Sequence, residues 1–174
     1  RRIALKAMDL LQNRQSIILA SGTTINEFAR RIQGFKGLTV LCASISAARE
    51  LVLREGMEVW QLGGMVRKNS ASVIGPFSER MLEHFSCNKL FLGADGIDPE
   101  FGLTTTNALE ANLNRKMIGA AQKVIVLTDS SKFGRRGLSL ICQLEDIDQI
   151  ITDSGINKSM KQHLEEKGIE IIIA

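Results

Sequence analysis

Seven short apolar runs recur along the chain, and polar segments separate them. The runs cover residues 17–20, 38–42, 57–62, 90–92, 124–127, 150–152 and 169–173. They are rich in β-branched residues and mostly continuous, without the polar alternation of a half-exposed strand. Continuous runs of this length are typical of strands that are covered on both faces. The pattern therefore predicts seven strands of a mostly parallel sheet.

Segments of helical periodicity lie next to several of these runs. Apolar residues recur at helical spacing over residues 3–11, 47–52, 108–121 and 160–164. The resulting β-α-β-α alternation predicts an α/β fold in which helices cover a parallel sheet. The sequence has two prolines, no low-complexity tract and no internal repeat, so we expect one domain over residues 1–174.

The composition restricts the class of protein. Hydrophobic residues make up 44% of the 174 residues, as in an ordinary globular domain. No stretch approaches the roughly 18 to 20 apolar residues that a membrane span needs, and no signal peptide is recognisable, so we expect a soluble, cytoplasmic protein. The 22 Lys and Arg residues exceed the 19 Asp and Glu residues only slightly and are spread along the chain. Any contact with DNA would therefore require another segment.

The cysteines and histidines indicate no special chemistry. Cys42, Cys87 and Cys142 are odd in number and far apart, so they predict neither a disulfide framework nor a metal or redox pair. We expect them to be small buried apolar residues. His84 and His163 lack a second ligand at a recognisable spacing. We therefore predict no metal site, no cofactor and no catalytic residue.

Small and polar residues follow five of the predicted strands directly. The segments are Ser21-Gly22-Thr23-Thr24, Ala43-Ser44, Gly63-Gly64, Gly93-Ala94-Asp95-Gly96 and residues 128–132. Because the carboxyl ends of parallel strands meet at one edge of the sheet, we expect these segments to gather there. That edge is where open α/β sheets bind ligands.

One of these segments suits an anion. In Ser21-Gly22-Thr23-Thr24 the glycine permits a tight turn and close backbone approach, and the hydroxyl and N–H groups can surround a phosphate. The alternative is an ordinary strand-to-helix turn with Thr as the N-cap. Lys132 lies in a loop at the same edge and could neutralise the phosphate, or it is a surface lysine.

Other residues suit hydroxyl groups. Asp95, next to Gly96, could accept hydrogen bonds from a sugar, or it could cap its own turn. Thr105 and Asn107 precede a helix and are equally good as ligands or as caps. The helix that follows carries Glu110 and Lys116 as further candidates.

Five motifs in this order resemble the sensor domain of DeoR-family bacterial transcriptional regulators. The motifs occupy residues 21–24, 62–64, 91–97, 102–105 and 129–134, so the resemblance covers nearly the whole chain. Leu-Gly-Ala-Asp-Gly-Ile at 92–97 and Asp-Ser-Ser-Lys-Phe-Gly at 129–134 are the most specific pair.

The resemblance implies a Rossmann-like sheet, similar to ribose-5-phosphate isomerase and coenzyme A transferase domains. It further implies a phosphorylated sugar or related intermediate as effector, and an oligomeric repressor of carbohydrate-metabolism genes. DNA binding would be due to a winged helix-turn-helix of about 55 to 60 residues, a small domain, which we expect upstream of Arg1. Ser21 to Thr24 would hold phosphate, Lys132 and Lys116 would supply charge, and Asp95, Thr105, Asn107 and Glu110 would contact hydroxyls.

Two departures from the family pattern leave alternatives open. Ala20 and Ala43 stand where the family often has Asp and Asn, which would remove two polar contacts and allow an altered ligand, or a ligand-free oligomerisation module. The isomerase relatives place a catalytic Glu in an Arg-Glu-Lys context, where this chain reads Asn114-Arg115-Lys116. Because arginine cannot act as the base, we expect binding without turnover. Glu110 keeps a sugar-phosphate isomerase or deaminase as the alternative.

Overall fold

The computed structural model describes residues 1–174, and it contains one large sheet and two small ones. The strands are β1 (Ser16–Leu19), β2 (Leu38–Cys42), β3 (Met57–Gln61), β4 (Met65–Arg67), β5 (Ser72–Ile74), β6 (Cys87–Leu92), β7 (Gly96–Asp98), β8 (Gly102–Thr105), β9 (Ala121–Leu127), β10 (Ser139–Cys142), β11 (Gln149–Thr152) and β12 (Glu170–Ile173). The helices are α1 (Arg2–Ala7), α2 (Thr23–Ala29), α3 (Ile45–Leu51), α4 (Pro76–Leu82), α5 (Ala108–Gly119) and α6 (Lys158–Glu166).

The large sheet has seven strands in the order β12-β11-β9-β6-β1-β2-β3. Every neighbouring pair in it is parallel. These are the seven strands that the apolar runs predict, and the predicted mostly parallel sheet is confirmed. The prediction missed α4 and placed the starts of β6 and β9 three residues late.

Alternate residues of each central strand enter two separate cores. Ile18 and Ala20 belong to one cluster of buried residues, whereas Ile17 and Leu19 belong to the other. The buried residues of α4, α5 and α6 complete the first cluster, and those of α1, α2 and α3 complete the second. The two-sided burial explains why the strand sequences are apolar without interruption.

The two small sheets are antiparallel and were not predicted. Strands β4 and β5 form a hairpin, and β7, β8 and β10 form a three-stranded sheet in the order β10-β8-β7. Their strands have only three or four residues each, which is too short for a periodicity to stand out.

The strand order places a crevice beside β1. The chain proceeds from β1 to β2 and β3 in one direction, and β6, β9, β11 and β12 extend in the other. The segments that follow β1 and β6 therefore diverge to opposite sides of the sheet, and a crevice opens between them at their carboxyl ends.

The three cysteines and the lengths of the helices can also be compared with the expectations from the sequence. Cys42, Cys87 and Cys142 are free and buried, as expected, and burial raises the pKa of Cys42 to about 12. No helix in the structure combines the length and the apolar character that crossing a bilayer would require.

Gly96 is a packing glycine at the start of β7. A Cβ atom at this position would overlap the carbonyl oxygen of Arg135. We predict that Gly96→Ala lowers the free energy of unfolding by about 2 kcal/mol or more, because backbone atoms must move to relieve the overlap. Chemical denaturation measures this change.

Gly119→Ala is the matched control. A Cβ atom there meets no atom within 4 Å, and alanine is favoured over glycine in a helix, so the free energy of unfolding should stay the same or rise by up to about 1 kcal/mol. Equal stability of Gly96→Ala and the wild-type protein would show that this close approach does not constrain the fold.

Candidate functional site

A polar cavity of about 290 Å³ occupies the crevice at the carboxyl ends of β1, β6 and β9. Nineteen residues line it, and only three of them are hydrophobic. They come from the loops after these strands, from the β4–β5 hairpin and from α5. A cavity with so many hydrogen-bonding groups is suited to a small polar ligand.

The loop between β1 and α2 presents unpaired backbone donors to this cavity. Gly22 has φ of +129°, a conformation that favours glycine, and it serves as the N-cap residue of α2. No side chain caps the helix, so the alternative of a threonine N-cap is wrong. The N–H groups of Gly22, Thr23, Thr24 and Ile25 have no acceptor within the protein, because the first bond at this helix end runs from the N–H of Asn26 to the carbonyl of Gly22.

Lys132 also lines the cavity, in a short 3-10 turn at Ser130–Lys132. The turn is fixed by two carboxylates. Asp129 accepts a hydrogen bond from the N–H of Ser131 at 3.0 Å, and Asp153 accepts one from the N–H of Ser130 at 2.9 Å. Lys132 is a half-buried residue, and its ammonium group forms no ion pair and no hydrogen bond with the protein, so its charge is available to a ligand.

Asp95 connects two walls of the cavity instead of capping its own turn. Its Oδ2 atom accepts hydrogen bonds from the hydroxyl of Thr105 at 3.0 Å, and from the N–H of Thr106 at 3.0 Å and its hydroxyl at 3.2 Å. The loop after β6 is thereby tied to the junction between β8 and α5. The Oδ1 atom has no partner in the protein and remains able to accept.

Helix α5 directs Glu110 and Asn114 into the cavity, since residues four apart share one helix face. Glu110 accepts a hydrogen bond from the hydroxyl of Ser21 at 3.0 Å through Oε1, and its Oε2 forms an ion pair with Arg67. Asn114 is only 4% exposed, and its side-chain amide has no hydrogen-bond partner in the protein. Asn114 is therefore a strong ligand candidate that sequence reasoning did not identify.

The hairpin of β4 and β5 supplies the remaining wall, through Arg67, Asn69 and Ser70. None of these three residues was predicted. They lie in a short polar stretch that follows no apolar run, so the only signal was the presence of a cation and an amide in a loop.

Six predicted residues lie outside the cavity, and each has a structural role. Ser44 is fully buried; it accepts a bond from the N–H of Ala47 at 3.2 Å and donates one to Asn26 at 2.7 Å. Asn107 is the N-cap of α5 and accepts from the N–H of Glu110 at 3.0 Å. Both side chains accept a hydrogen bond from a backbone N–H in the first turn of a helix, so their role is capping.

The other four are three glycines and a lysine. Gly63 and Gly64 follow β3, an edge strand away from the crevice, and line an apolar groove. Gly96 is enclosed by backbone atoms. Lys116 is exposed and pairs with Glu83 at 3.6 Å. The structure thus gives no support for ligand contacts by these residues.

The residues that depart from the family pattern at positions 20, 43 and 115 do not line the cavity. Ala20 and Ala43 are each 2% exposed and are packed in the core, so neither opens into the cavity. Arg115 is exposed and hydrogen-bonds to Leu140. The members of α5 that face the cavity are instead Glu110 and Asn114.

The family model for the DeoR C-terminal sensor domain matches residues 1–154. The chain belongs to the DeoR family. This DeoR-family chain is 39% identical over 173 residues to a protein of Escherichia coli O157:H7 named as an aga operon transcriptional repressor, and 34% identical over 173 residues to the HTH-type transcriptional regulator GlpR of Haloferax volcanii. Both matches cover 99% of this chain but only 64% and 67% of the relatives. The chain thus spans about two thirds of their length.

The DeoR-family chain also resembles solved structures in its fold. It aligns with a D-ribose-5-phosphate isomerase in complex with phospho-erythronic acid at a TM-score of 0.55 and 16% identity, over 75% of this chain and 51% of the isomerase. The expected Rossmann-like fold shared with this isomerase is confirmed. The likeness to coenzyme A transferases stays a prediction.

Because Asp95 links two segments of the chain, its removal should lower the stability of the fold. We predict that Asp95→Ala lowers the free energy of unfolding by about 1 to 3 kcal/mol, because three donors lose one charged acceptor. Asp95→Asn retains an acceptor oxygen and should lose less. Thermal and chemical denaturation measure both changes.

Asp9→Ala is the control, since Asp9 makes only an exposed ion pair with Lys6, and its loss should change stability by less than about 0.5 kcal/mol. If Asp95→Ala proves as stable as this control, Asp95 does not link the two walls.

Proposed function

We propose that residues 1–174 are one effector-sensing unit of a transcriptional repressor, and that the cavity binds a phosphorylated sugar or a closely related metabolite. The observation that carries the proposal is the set of four consecutive N–H groups without acceptors, at Gly22 to Ile25, facing a cavity that also contains an unpaired lysine. Unpaired donors beside a cation favour an anionic ligand group.

The phosphate would lie between the β1–α2 loop and Lys132. The backbone N–H groups would donate to its oxygens, as would the hydroxyls of Thr23 and Thr24, and the ammonium group of Lys132 would neutralise part of its charge. Asp95, Asp129 and Glu110 also line the cavity, and Glu110 bonds to Ser21 in the β1–α2 loop, so the contacts to the phosphate must offset repulsion from these carboxylates.

The sugar hydroxyls would contact the opposite side of the cavity. The free Oδ1 of Asp95 offers an acceptor to these hydroxyls, and the unpaired amide of Asn114 offers both an acceptor and a donor. The isomerase of similar fold was solved with phospho-erythronic acid, which is a phosphorylated polyol acid, and this supports the same class of ligand here.

The regulatory step would be a change in the state of an oligomer on effector binding. An effector can shift such an equilibrium only if it binds the two states with different affinity. DNA contacts would come from a separate domain, in line with the HTH-type name of a relative. Recognition of paired half-sites requires at least two copies, so we propose a homo-oligomer.

The domain should discriminate a phosphorylated sugar from its free counterpart. Two charge-assisted hydrogen bonds at about 1.5 to 3 kcal/mol each give well over a tenfold preference. In a thermal-melting screen of phosphorylated and free sugar pairs, the right compound at about a hundred times its Kd should add ~2.7 kcal/mol of stability.

Two variants connect this preference to the site. Gly22→Val should lose it, because a branched side chain is strained at this φ and occupies ligand space, although it meets no protein atom within 4 Å. Lys132→Ala should weaken it, whereas Lys158→Ala, which removes an exposed lysine of α6, should not. Equal behaviour of the free and phosphorylated member of every pair would exclude the phosphate site.

A sugar-phosphate isomerase is the second candidate, favoured by the shared fold and by the carboxylate of Glu110 in the cavity. Both oxygens of Glu110 are engaged, by Ser21 and Arg67, which opposes a role as a free base. We predict no interconversion when the domain is incubated with aldose and ketose phosphates. Sustained turnover that Glu110→Gln abolishes would contradict the sensor function and favour the enzyme.

A further inference from the structure

Glu110 connects three separate segments at one side of the cavity. Its carboxylate receives the hydroxyl of Ser21 from the β1–α2 loop at 3.0 Å and the guanidinium of Arg67 from β4. The side chains of Arg67 and Glu110 are 22% and 19% exposed, so the pair is largely withdrawn from water. The β1–α2 loop and the β4–β5 hairpin therefore both bond to the single negative charge of Glu110.

Ser21 and Arg67 are therefore unavailable to a ligand unless the ligand replaces the hydrogen bonds that Glu110 would lose. An anion that recruits Ser21 or Arg67 removes a partner from a half-buried carboxylate and also brings a like charge close to it. A half-buried charge without its partner is strongly disfavoured, and the repulsion is only weakly screened at this depth.

We propose that Glu110, through its pair with Arg67, is the specificity-determining residue that rejects a bare anion and admits an anion carrying hydroxyl groups. A polyol phosphate brings hydroxyl donors at a distance from its charge that replace the lost bonds of Glu110, whereas the one or two hydroxyls of inorganic phosphate near neutral pH lie on the anionic centre that Glu110 repels. The proposal rests on the anion site of the proposed function and adds the reason for its selectivity.

The unpaired amide of Asn114 gives independent support for a hydroxyl site beside Glu110. It lies one helical turn further along α5, is 4% exposed and faces the cavity without a partner. An unpaired amide that reaches a cavity is available to a ligand hydroxyl or to water. A hydroxyl that donates to Glu110 can accept from the amide of Asn114, so one group would satisfy both residues.

The test compares inorganic phosphate with sorbitol 6-phosphate. Apparent Kd values are obtained from the concentration dependence of the melting temperature, with sodium chloride at matched ionic strength as the blank. For Glu110→Gln we expect the affinity for inorganic phosphate to rise about tenfold or more, because a like charge is removed and Arg67 is released. The affinity for sorbitol 6-phosphate, relative to inorganic phosphate, should fall.

Glu83→Gln is the matched control, since it removes one carboxylate at an exposed pair outside the cavity, and it should alter neither affinity more than about twofold. Arg67→Ala should weaken the binding of both ligands. If Glu110→Gln does not fold, the double variant Arg67→Ala with Glu110→Gln removes the whole pair and should likewise abolish the preference over inorganic phosphate.

The outcomes separate this proposal from the function on which it rests. If Glu110→Gln leaves the affinity for inorganic phosphate unchanged or lowers it, Glu110 does not determine the specificity, even where sugar phosphates bind. If Glu110→Gln binds inorganic phosphate more tightly but no sugar phosphate binds the wild-type domain, the rejection of bare anions by Glu110 is supported and the proposed effector class is wrong.

Discussion

Parallel pairing of β1 with β6 brings the loops that follow these two strands side by side, and the cavity depends on that contact. The loop after β1 supplies the unpaired N–H groups, and the loop after β6 supplies Asp95. The pairing in turn requires helices on both faces of the sheet, because parallel strands expose apolar residues on each side. The two cores of α1 to α3 and α4 to α6 therefore hold the cavity in place.

The sequence predicts the large sheet well because two-sided burial leaves continuous apolar runs. It also predicts that Ser21, Asp95 and Lys132 gather at one edge, since each lies in the segment that follows a central strand. It does not predict Arg67, which depends on a hairpin of three-residue strands, or Asn114, which depends on the rotation of α5 about its axis. Capping residues such as Ser44 and Asn107 could not be separated from ligands, because the same side chains perform both tasks.

Charge balance is the main constraint on the ligand. The cavity contains two cations, Arg67 and Lys132, and three carboxylates, but these charges are not equivalent. Glu110 and Arg67 neutralise each other, Asp95 already accepts three hydrogen bonds through Oδ2, and Asp129 accepts one from the N–H of Ser131. Lys132 remains the cation without a partner. A ligand with one anionic group and several hydroxyls matches this distribution better than a neutral or a strongly anionic one.

Backbone amide NMR of the labelled domain, titrated with a sugar phosphate that raises its melting temperature, tests the central claim most directly. We expect the largest downfield shifts at the amides of Gly22, Thr23, Thr24 and Ile25, because these N–H groups gain an acceptor only when the phosphate binds. Titration with the free sugar should leave these four signals nearly unchanged. Shifts confined to other regions, such as the groove lined by Met65 and Phe77, would contradict the account.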